Sequence, residues 1–429
     1  MDEWQETRLG DLMEIAHGYS FDSVFFSDAP TGHILLTPAN FKAGGGFDSS
    51  RYKYYDAGRG PVPPQYILDP GDIIIALTDL SREGSILGCA GRVPATPGLT
   101  SRSGQYFLHN QRIGRAIPLP GKINTDFLYW LLRSKNYRSH ILATASGSTV
   151  KHTSPRRIKE FCFLLPPPEE QTAAAALLNA VETKINLLEH SSVLLERAAM
   201  NFYREWFPGS GEQKPQPLAA FGKIVCGKTP SKEKSHYFGG PVPFIKIPDL
   251  RRRVYITHTV DSLSYEGAAT QPRKQIPPNS ICVSCIATVG LVAFTASWCH
   301  TNQQINSIIP HHHWNRYYLY CYLKTMGPRL EALSTGGSTT LNLNTGSFSR
   351  LPIPRPPQSL LDKFYRVVHP FFQRILLNTR HVERLIILRD SLLPKLMAGK
   401  IKLKGDGRTI ESRTLFEKRV LDPQKLLLI

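Results

Sequence analysis

The sequence predicts an α+β protein: two similar α/β domains separated by two long antiparallel coiled-coil helices, arranged as a pseudo-two-fold internal repeat. Three observations carry this. One ordered series of landmarks occurs twice along the 429 residues. Each series ends in a proline-rich stretch. Each stretch then leads into a long segment with apolar residues at steps of three and four, the spacing of a helix that packs on another helix. The expected divisions are a first domain over 1–165, a first spacer helix over 166–209, a second domain over 210–353, a second spacer helix region over 354–400, and a tail over 401–429.

The repeat opens with Leu9-Gly10-Asp11 running to Gly18-Tyr19-Ser20-Phe21, answered by Phe221-Gly222-Lys223 running to Gly227-Lys228-Thr229-Pro230-Ser231. Short apolar runs follow, Ile34 to Pro38 and Phe244 to Pro248. Pro70-Gly71-Asp72 leads into Ile73 to Ala76, and Pro278-Asn279-Ser280 leads into Ile281 to Ser284; each reads as a tight turn feeding a buried strand. Asn110-Gln111-Arg112-Ile113 matches Asn302-Gln303-Gln304-Ile305, and both are followed by apolar runs ending at Pro118 and Pro310. Aromatic-rich helices are expected over 127–132 and 319–323. Ser146-Gly147-Ser148-Thr149 matches Gly336-Gly337-Ser338-Thr339, ahead of the prolines at 166–168 and of Pro354-Arg355-Pro356-Pro357.

Glu169-Glu170-Gln171 places acidic residues in a first helical turn, where the helix dipole favours them. Leu178, Val181, Ile185, Leu188, Ser192, Leu195, Ala199, Phe202 and Trp206 then form one stripe. A helix from Glu169 to Trp206 is about 57 Å long. The second stripe is Phe364, Val368, Phe371, Ile375, Asn378, Val382 and Leu385, with Leu392 beyond. Pro370 predicts a kink or break inside it, and Pro394 with Gly399 its end. Two stripes that merely covered one larger core would leave their matched positions unexplained. The helix-packing and partner-docking candidates are Val181, Ile185, Leu188, Leu195, Phe202, Trp206, Phe371, Ile375, Val382 and Leu385.

Composition narrows the function. With 41 % hydrophobic and 20 % charged residues, the chain reads as a soluble globular protein with no apolar run long enough to span a membrane. It begins without a signal peptide's basic start and apolar core. Seven cysteines, an odd number without paired spacing, predict free thiols in a reducing, cytoplasmic setting. A net charge of +18 and a pI near 9.6 point to polyanions, nucleic acid first among them, although ribosome-associated and membrane-surface proteins share that charge.

Motifs that imitate chemistry fail on context. Gly222 to Thr229 matches the phosphate-loop pattern Gly-x-x-x-x-Gly-Lys-Ser/Thr, but Pro215 to Ala220 is a poor buried strand and Pro230 follows at once. A Gly-Lys-Thr turn against DNA phosphates suits these residues better. Cys282 and Cys285 on a strand point to opposite faces, which argues against zinc. His311-His312-His313 reads as a solvated turn. No Asn/Asp-Pro-Pro-Tyr/Phe motif, glycine-rich methyl-donor unit or nuclease carboxylate pair is apparent, and no metal site is expected.

Together these parts resemble the specificity subunit of type I restriction–modification enzymes. The likeness rests on the doubled plan, Gly227-Lys228-Thr229-Pro230-Ser231, the Gly-Ser-Thr segments, the prolines before Glu169-Glu170-Gln171, and the helix ends Ala198 to Phe207 and Ser391 to Ile401. It covers residues 1–401, with Pro370 and Gly18-Tyr19-Ser20-Phe21 as departures. It implies that each domain is a target-recognition domain reading half of a split double-stranded DNA target, while the helices fix the gap. Two modification subunits would dock on the helices and methylate adenine at N6, and a motor-nuclease restriction subunit would join where unmodified DNA is cut. This chain would be non-catalytic, with S-adenosylmethionine, magnesium and ATP held by the partners. An orphan DNA- or RNA-binding scaffold and a self-sufficient DNA-modifying enzyme are the rival readings. Phosphate contacts are expected from Lys228, Thr229, Ser148, Thr149, Lys151, Ser338 and Thr339. Base contacts are expected from Arg102, Gln105, Arg251, Arg252 and Arg253, the arginine triplet reading equally well as a solvated turn.

Overall fold

Each half of the chain builds a mainly antiparallel sheet from its most apolar runs. In the computed structural model, which describes residues 4–27, 33–81, 83–95, 106–208, 214–333, 341–403 and 410–412, the chain divides into two units. Unit 1 is Met1–Thr183 with Ile386–Ile429, and unit 2 is Lys184–Leu385.

Unit 1 contains β1 (Gln5–Arg8), β2 (Met13–His17), β3 (Ile34–Leu36), β4 (Ile73–Ala76), β5 (Ala90–Arg92), β6 (Phe107–His109), β7 (Ile113–Pro118) and β8 (Cys162–Leu165). Its central sheet runs β2-β7-β4-β5, all antiparallel. A second sheet holds β3 parallel to β6, and β1 pairs with β8. Helices α1 (Thr125–Leu131), α2 (Lys135–Ala143) and α3 (Pro155–Lys159) lie between β7 and β8, and β8 leads into the long α4 (Pro168–Trp206). Asn124 caps α1 by accepting from the Phe127 amide, and Ser154 caps α3 through the Arg157 amide.

Unit 2 repeats this plan. Its strands include β9 (Gln216–Pro217), β10 (Gly222–Cys226), β11 (Phe238–Ile245), β12 (Tyr255–Ile256), β13 (Ile281–Ser284), β14 (Val292–Thr295), β15 (His300–Thr301), β16 (Ile305–Pro310) and β17 (Pro352–Ile353). The central sheet runs β10-β16-β13-β14-β12, whose first four strands copy the order of unit 1. β11 lies parallel to β15, as β3 does to β6, and β9 pairs with β17, as β1 does with β8. Helices α5 (Asn315–Thr325), α6 (Gly327–Leu333) and α7 (Thr345–Ser349) precede the long α8 (Gln358–Met397).

The predicted turns into buried strands are present. Gly71 and Asn279 both hold positive φ, and their amides donate to Val93 O and Thr295 O. Matching the prolines Pro38 and Pro248 was off by one residue. The backbone equates Thr37 with Lys246, because the Asn40 and Asp249 side chains accept from those two amides at 2.9 and 2.8 Å.

The long helices contribute to both units, antiparallel within each. In unit 1, Ala174, Ala175 and Leu178 share a core with Leu392, Leu393 and Leu396. In unit 2, Phe202 packs on Phe371 and Trp206 on Phe364, while Asn378 meets Leu188 and Ser192. Val181, Ile185, Leu188, Ile375 and Leu385 are buried; Leu195, Phe202, Trp206, Phe371 and Val382 are partly so.

The break expected at Pro370 is absent, since α8 runs uninterrupted through it and through Pro394. Pro370 and Arg366, whose carbonyl loses its partner, both lie on the exposed face, so the missing bond falls on the solvent side of the helix and not in its packed seam. The helix instead stops in a Schellman turn: Gly399 is left-handed, its amide donates to Leu396 O, and Lys400 N–H donates to Lys395 O. Of the 401–429 tail, Ile401–Leu403 pairs with Ile410–Ser412, and the rest lies outside the described residues.

Candidate nucleic-acid interface

In unit 2 the Gly-Lys-Thr segment is not a phosphate loop. Gly222–Cys226 is strand β10, and no helix opens at Lys228. It is a turn held from three sides. Lys228 N–H donates to Thr301 O at 3.0 Å, Gln271 Nε2 donates to Lys228 O at 2.9 Å, and Thr229 Oγ1 donates to Gln303 Oε1 at 2.6 Å. Gly227 fits only as glycine, because a Cβ would lie 2.1 Å from Asn302 O. With its backbone fixed, the Lys228 side chain is exposed. A lysine so presented can neutralise a phosphate without ordering its own main chain.

Unit 1 carries the same turn with different chemistry. Gly18 is as crowded against Asn110 O, at 2.1 Å, and Tyr19 N–H donates to His109 O at 2.8 Å. Tyr19 therefore occupies the place of Lys228. Its ring packs edge-on to Phe21 at 5.0 Å and against Tyr66 at 5.1 Å. The repeat extends to the Asn-Gln turns, where Asn110 and Asn302 accept through Oδ1 from the amides of Arg112 and Gln304.

The other predicted contacts fall as follows. Ser148 and Thr149 are exposed, and the half-buried Lys151 sits on a short strand, Lys151–His152, that pairs with Thr78–Asp79. Burial opposes the Asp79 charge, but the Ile86 and Ser81 amides, at 2.7 Å each, outweigh it and hold the carboxyl below its ordinary value. Arg251 and Arg252 are exposed, with Arg252 at φ 57°. Arg253 is engaged by His258, through the carbonyl at 2.9 Å and the ring at 3.0 Å, and His258 Nδ1 lies 2.6 Å from Glu383 on α8. Arg102, Gln105, Ser338 and Thr339 lie outside the described residues.

Sequence reasoning missed Gln271 and Arg157. Gln271 stands alone between Thr270 and Pro272, in a stretch without a landmark. Arg157 donates to Ser146 Oγ at 2.9 Å, behind the Gly-Ser-Thr loop; the adjacent Arg156-Arg157 pair was its signal.

The decoys resolve structurally. Cys282 and Cys285 are buried in different cores, and burial pushes their thiols up to about 12 and about 11. His312 stacks on Trp314 at 4.5 Å. Among the described residues, no group of three or more His, Cys, Asp or Glu side chains is placed to hold a metal, and no helix is long and apolar enough to cross a membrane.

Comparison with known families decides the assignment. The sequence model of the type I restriction modification DNA specificity domain matches residues 1–197 and 214–385, once for each repeat. The chain belongs to the type I restriction–modification specificity family. It is 49 % identical over 186 residues to the type I restriction enzyme HindI specificity subunit of Haemophilus influenzae, an alignment covering 43 % of this chain and 40 % of that relative. Against the MjaIX specificity subunit of Methanocaldococcus jannaschii it is 24 % identical over 399 residues, covering 84 % and 91 %. The crystal structure of a type I restriction–modification S subunit from M. genitalium shares the fold, with a TM-score of 0.56 at 15 % identity over 92 % of this chain and 96 % of that one.

Proposed function

We propose that this chain is the DNA-reading specificity subunit of a type I restriction–modification complex. Each unit reads one half of a bipartite duplex target, and the long helices set the gap. The modification subunits, two per specificity chain, dock on those helices and bring adenine-N6 methylation with S-adenosylmethionine. Restriction subunits bring magnesium- and ATP-dependent cleavage. The chain itself performs no chemistry and works in the cytoplasm. The single observation carrying this reading is the duplication: two sheets of matched strand order, each presenting a glycine-enforced turn at the same place, joined to long helices. Two readers on one chain suit a target in two halves.

Co-expression with a partner modification subunit, followed by mapping of methylated adenines, tests it. A split motif is expected. Deleting four residues within 181–199 removes about 6 Å of helix, so the gap should shorten by one or two base pairs at roughly 3.4 Å per step. Methylation or cleavage by the isolated chain would overturn the proposal, as would stronger binding of RNA than of duplex DNA.

A further inference from the structure

Beneath the Lys228 turn lies a small set of buried polar groups with no catalytic part to play. Gln271, His300 and Thr301 are 4 %, 1 % and 0 % exposed. Gln271 Nε2 donates to Lys228 O at 2.9 Å and stands 3.4 Å from His300 Nδ1, while its Oε1 has no partner. Burying an amide with one oxygen unmatched is costly, so the position is poorly explained by packing alone. What the amide does achieve is specific: it takes the one Lys228 backbone group that the strands leave free. Thr301 O already holds the Lys228 N–H, and no strand is in register to take its carbonyl.

We propose that Gln271 is a positioning residue for DNA binding, acting through Lys228, and that Gln303, by accepting from the Thr229 hydroxyl, is its outer counterpart. This rests on the reading of Lys228 as a phosphate contact. Gln271 touches no DNA. It holds the carbonyl of Lys228, so the ammonium is presented from one backbone geometry instead of several. Unit 1 supports the assignment by contrast. There the equivalent turn bears Tyr19, whose ring is held by Phe21 and Tyr66, so the side chain is fixed directly. A flexible, exposed lysine has no such contacts and needs its main chain fixed.

The test is salt-dependent binding of the full chain to a mixed-sequence DNA duplex, because a phosphate contact is indifferent to sequence. Lys228→Ala should weaken binding and lower the slope of log affinity against log salt by about 0.9. Gln271→Met, close in length but without the donor, should weaken binding about fivefold, the value of one lost hydrogen bond, and lower the slope in the same sense. Lys228→Ala with Gln271→Met should bind no worse than Lys228→Ala alone. Gln303→Ala, at an exposed side chain that cannot threaten the core, should give a smaller loss of the same kind. Native affinity in a folded Gln271→Met, or fully additive losses in the double variant, would overturn the positioning role. If Gln271→Met does not fold, an unchanged affinity and slope in Gln303→Ala overturns it. A Lys228→Ala variant that binds like the parent would instead remove the phosphate contact beneath the proposal.

Discussion

Units 1 and 2 share one fold but fasten it to their long helices by different physics. In unit 1 the junction is polar. Trp130 Nε1 donates to Asn179 Oδ1, Asn179 Nδ2 to Asp126 Oδ2, and Arg92 pairs with the other Asp126 oxygen at 2.6 Å. Arg133, 3 % exposed at its side chain, lies over the Trp130 ring and reaches Glu182, whose second oxygen takes Arg389 from α8 at 2.8 Å. In unit 2, aligning Leu178 with Val368 and Ile185 with Ile375 puts Phe372 where unit 1 has Glu182. Phe372 stacks on Tyr317 at 4.3 Å and meets Phe294 and Tyr320 edge-on. The same backbone junction tolerates a charge network or an aromatic stack because both fill the site, one chiefly with charged, directional bonds and one chiefly with ring contacts, to which Tyr320 adds a bond to Glu196 at 2.7 Å and Tyr317 one to His369 at 2.9 Å.

The sharpest break should come from Phe372→Ala. It empties the centre of the stack and should cost unit 2 about 3–5 kcal/mol. Hydrogen exchange should show amides of β13 and β14 losing protection while those of β4 and β7 keep theirs. Equal losses in both units would mean that the two cores are not energetically separate.

A pH-dependent effect should rank next, in unit 1. His109 is 2 % exposed, and burial lowers its pKa from 6.5 to about 4, with Nε2 held by Ile113 O at 2.8 Å. Because the folded value is depressed, the unfolded chain takes up the proton first. Stability is full above pH 6.5 and falls through the window down to about 4, by roughly 3 kcal/mol in all. Thr301 occupies the matching place in unit 2, so His109→Gln should flatten the acid limb of unit 1 alone. His300 is also buried with its pKa lowered, so unit 2 should keep an acid limb of its own.

These contrasts explain what was legible in the sequence. The repeat, both long helices and the turns at Gly71 and Asn279 were readable because period and turn chemistry are local. The uninterrupted α8 was not, because the cost of Pro370 depends on which face it occupies, and that is a tertiary fact. Lys228 could be singled out from its motif, whereas Gln271 could not: a glutamine's role lies in which carbonyl it reaches, here 43 residues away. Phe371 was read into the helix stripe while its neighbour Phe372, facing the domain core, was passed over, since a heptad pattern sees one face of a helix that buries two.

Glu182 should show a further, smaller difference between the units. Burial would raise its pKa, but Arg133 and Arg389 prevail and hold the carboxyl below its ordinary value. Its stabilisation is therefore present above the unfolded glutamate pKa, near 4.3, and lost as pH falls through the lower folded value. Glu182→Gln keeps the shape and removes the charge; it should cost unit 1 about 2 kcal/mol by leaving two arginines short of a counter-charge. Calorimetry at neutral pH should show the loss, and high salt should not restore it, because the pair is shielded from solvent. A parent-like melting profile would place this network among surface ion pairs of little weight.

The smallest effect should be the most informative about the spacer. Ser192 and Asn378 are the two polar residues in the otherwise apolar stripes, and they meet: Asn378 Nδ2 donates to Ser192 Oγ at 3.2 Å, with Asn378 only 2 % exposed. A buried polar pair in a helical seam costs stability while penalising every other register, since sliding either helix by a turn would bury an unmatched amide. Asn378→Leu should therefore raise the stability of unit 2 by less than about 1 kcal/mol while loosening the register. Spin labels on exposed positions of α4 and α8 would report it: one narrow distance distribution in the parent, a broader or second one in the variant. If the spacer sets the gap between half-sites, the same variant should relax the methylated spacing by a turn's worth of sequence. A narrow distribution together with a single spacing would show that apolar packing alone holds the register.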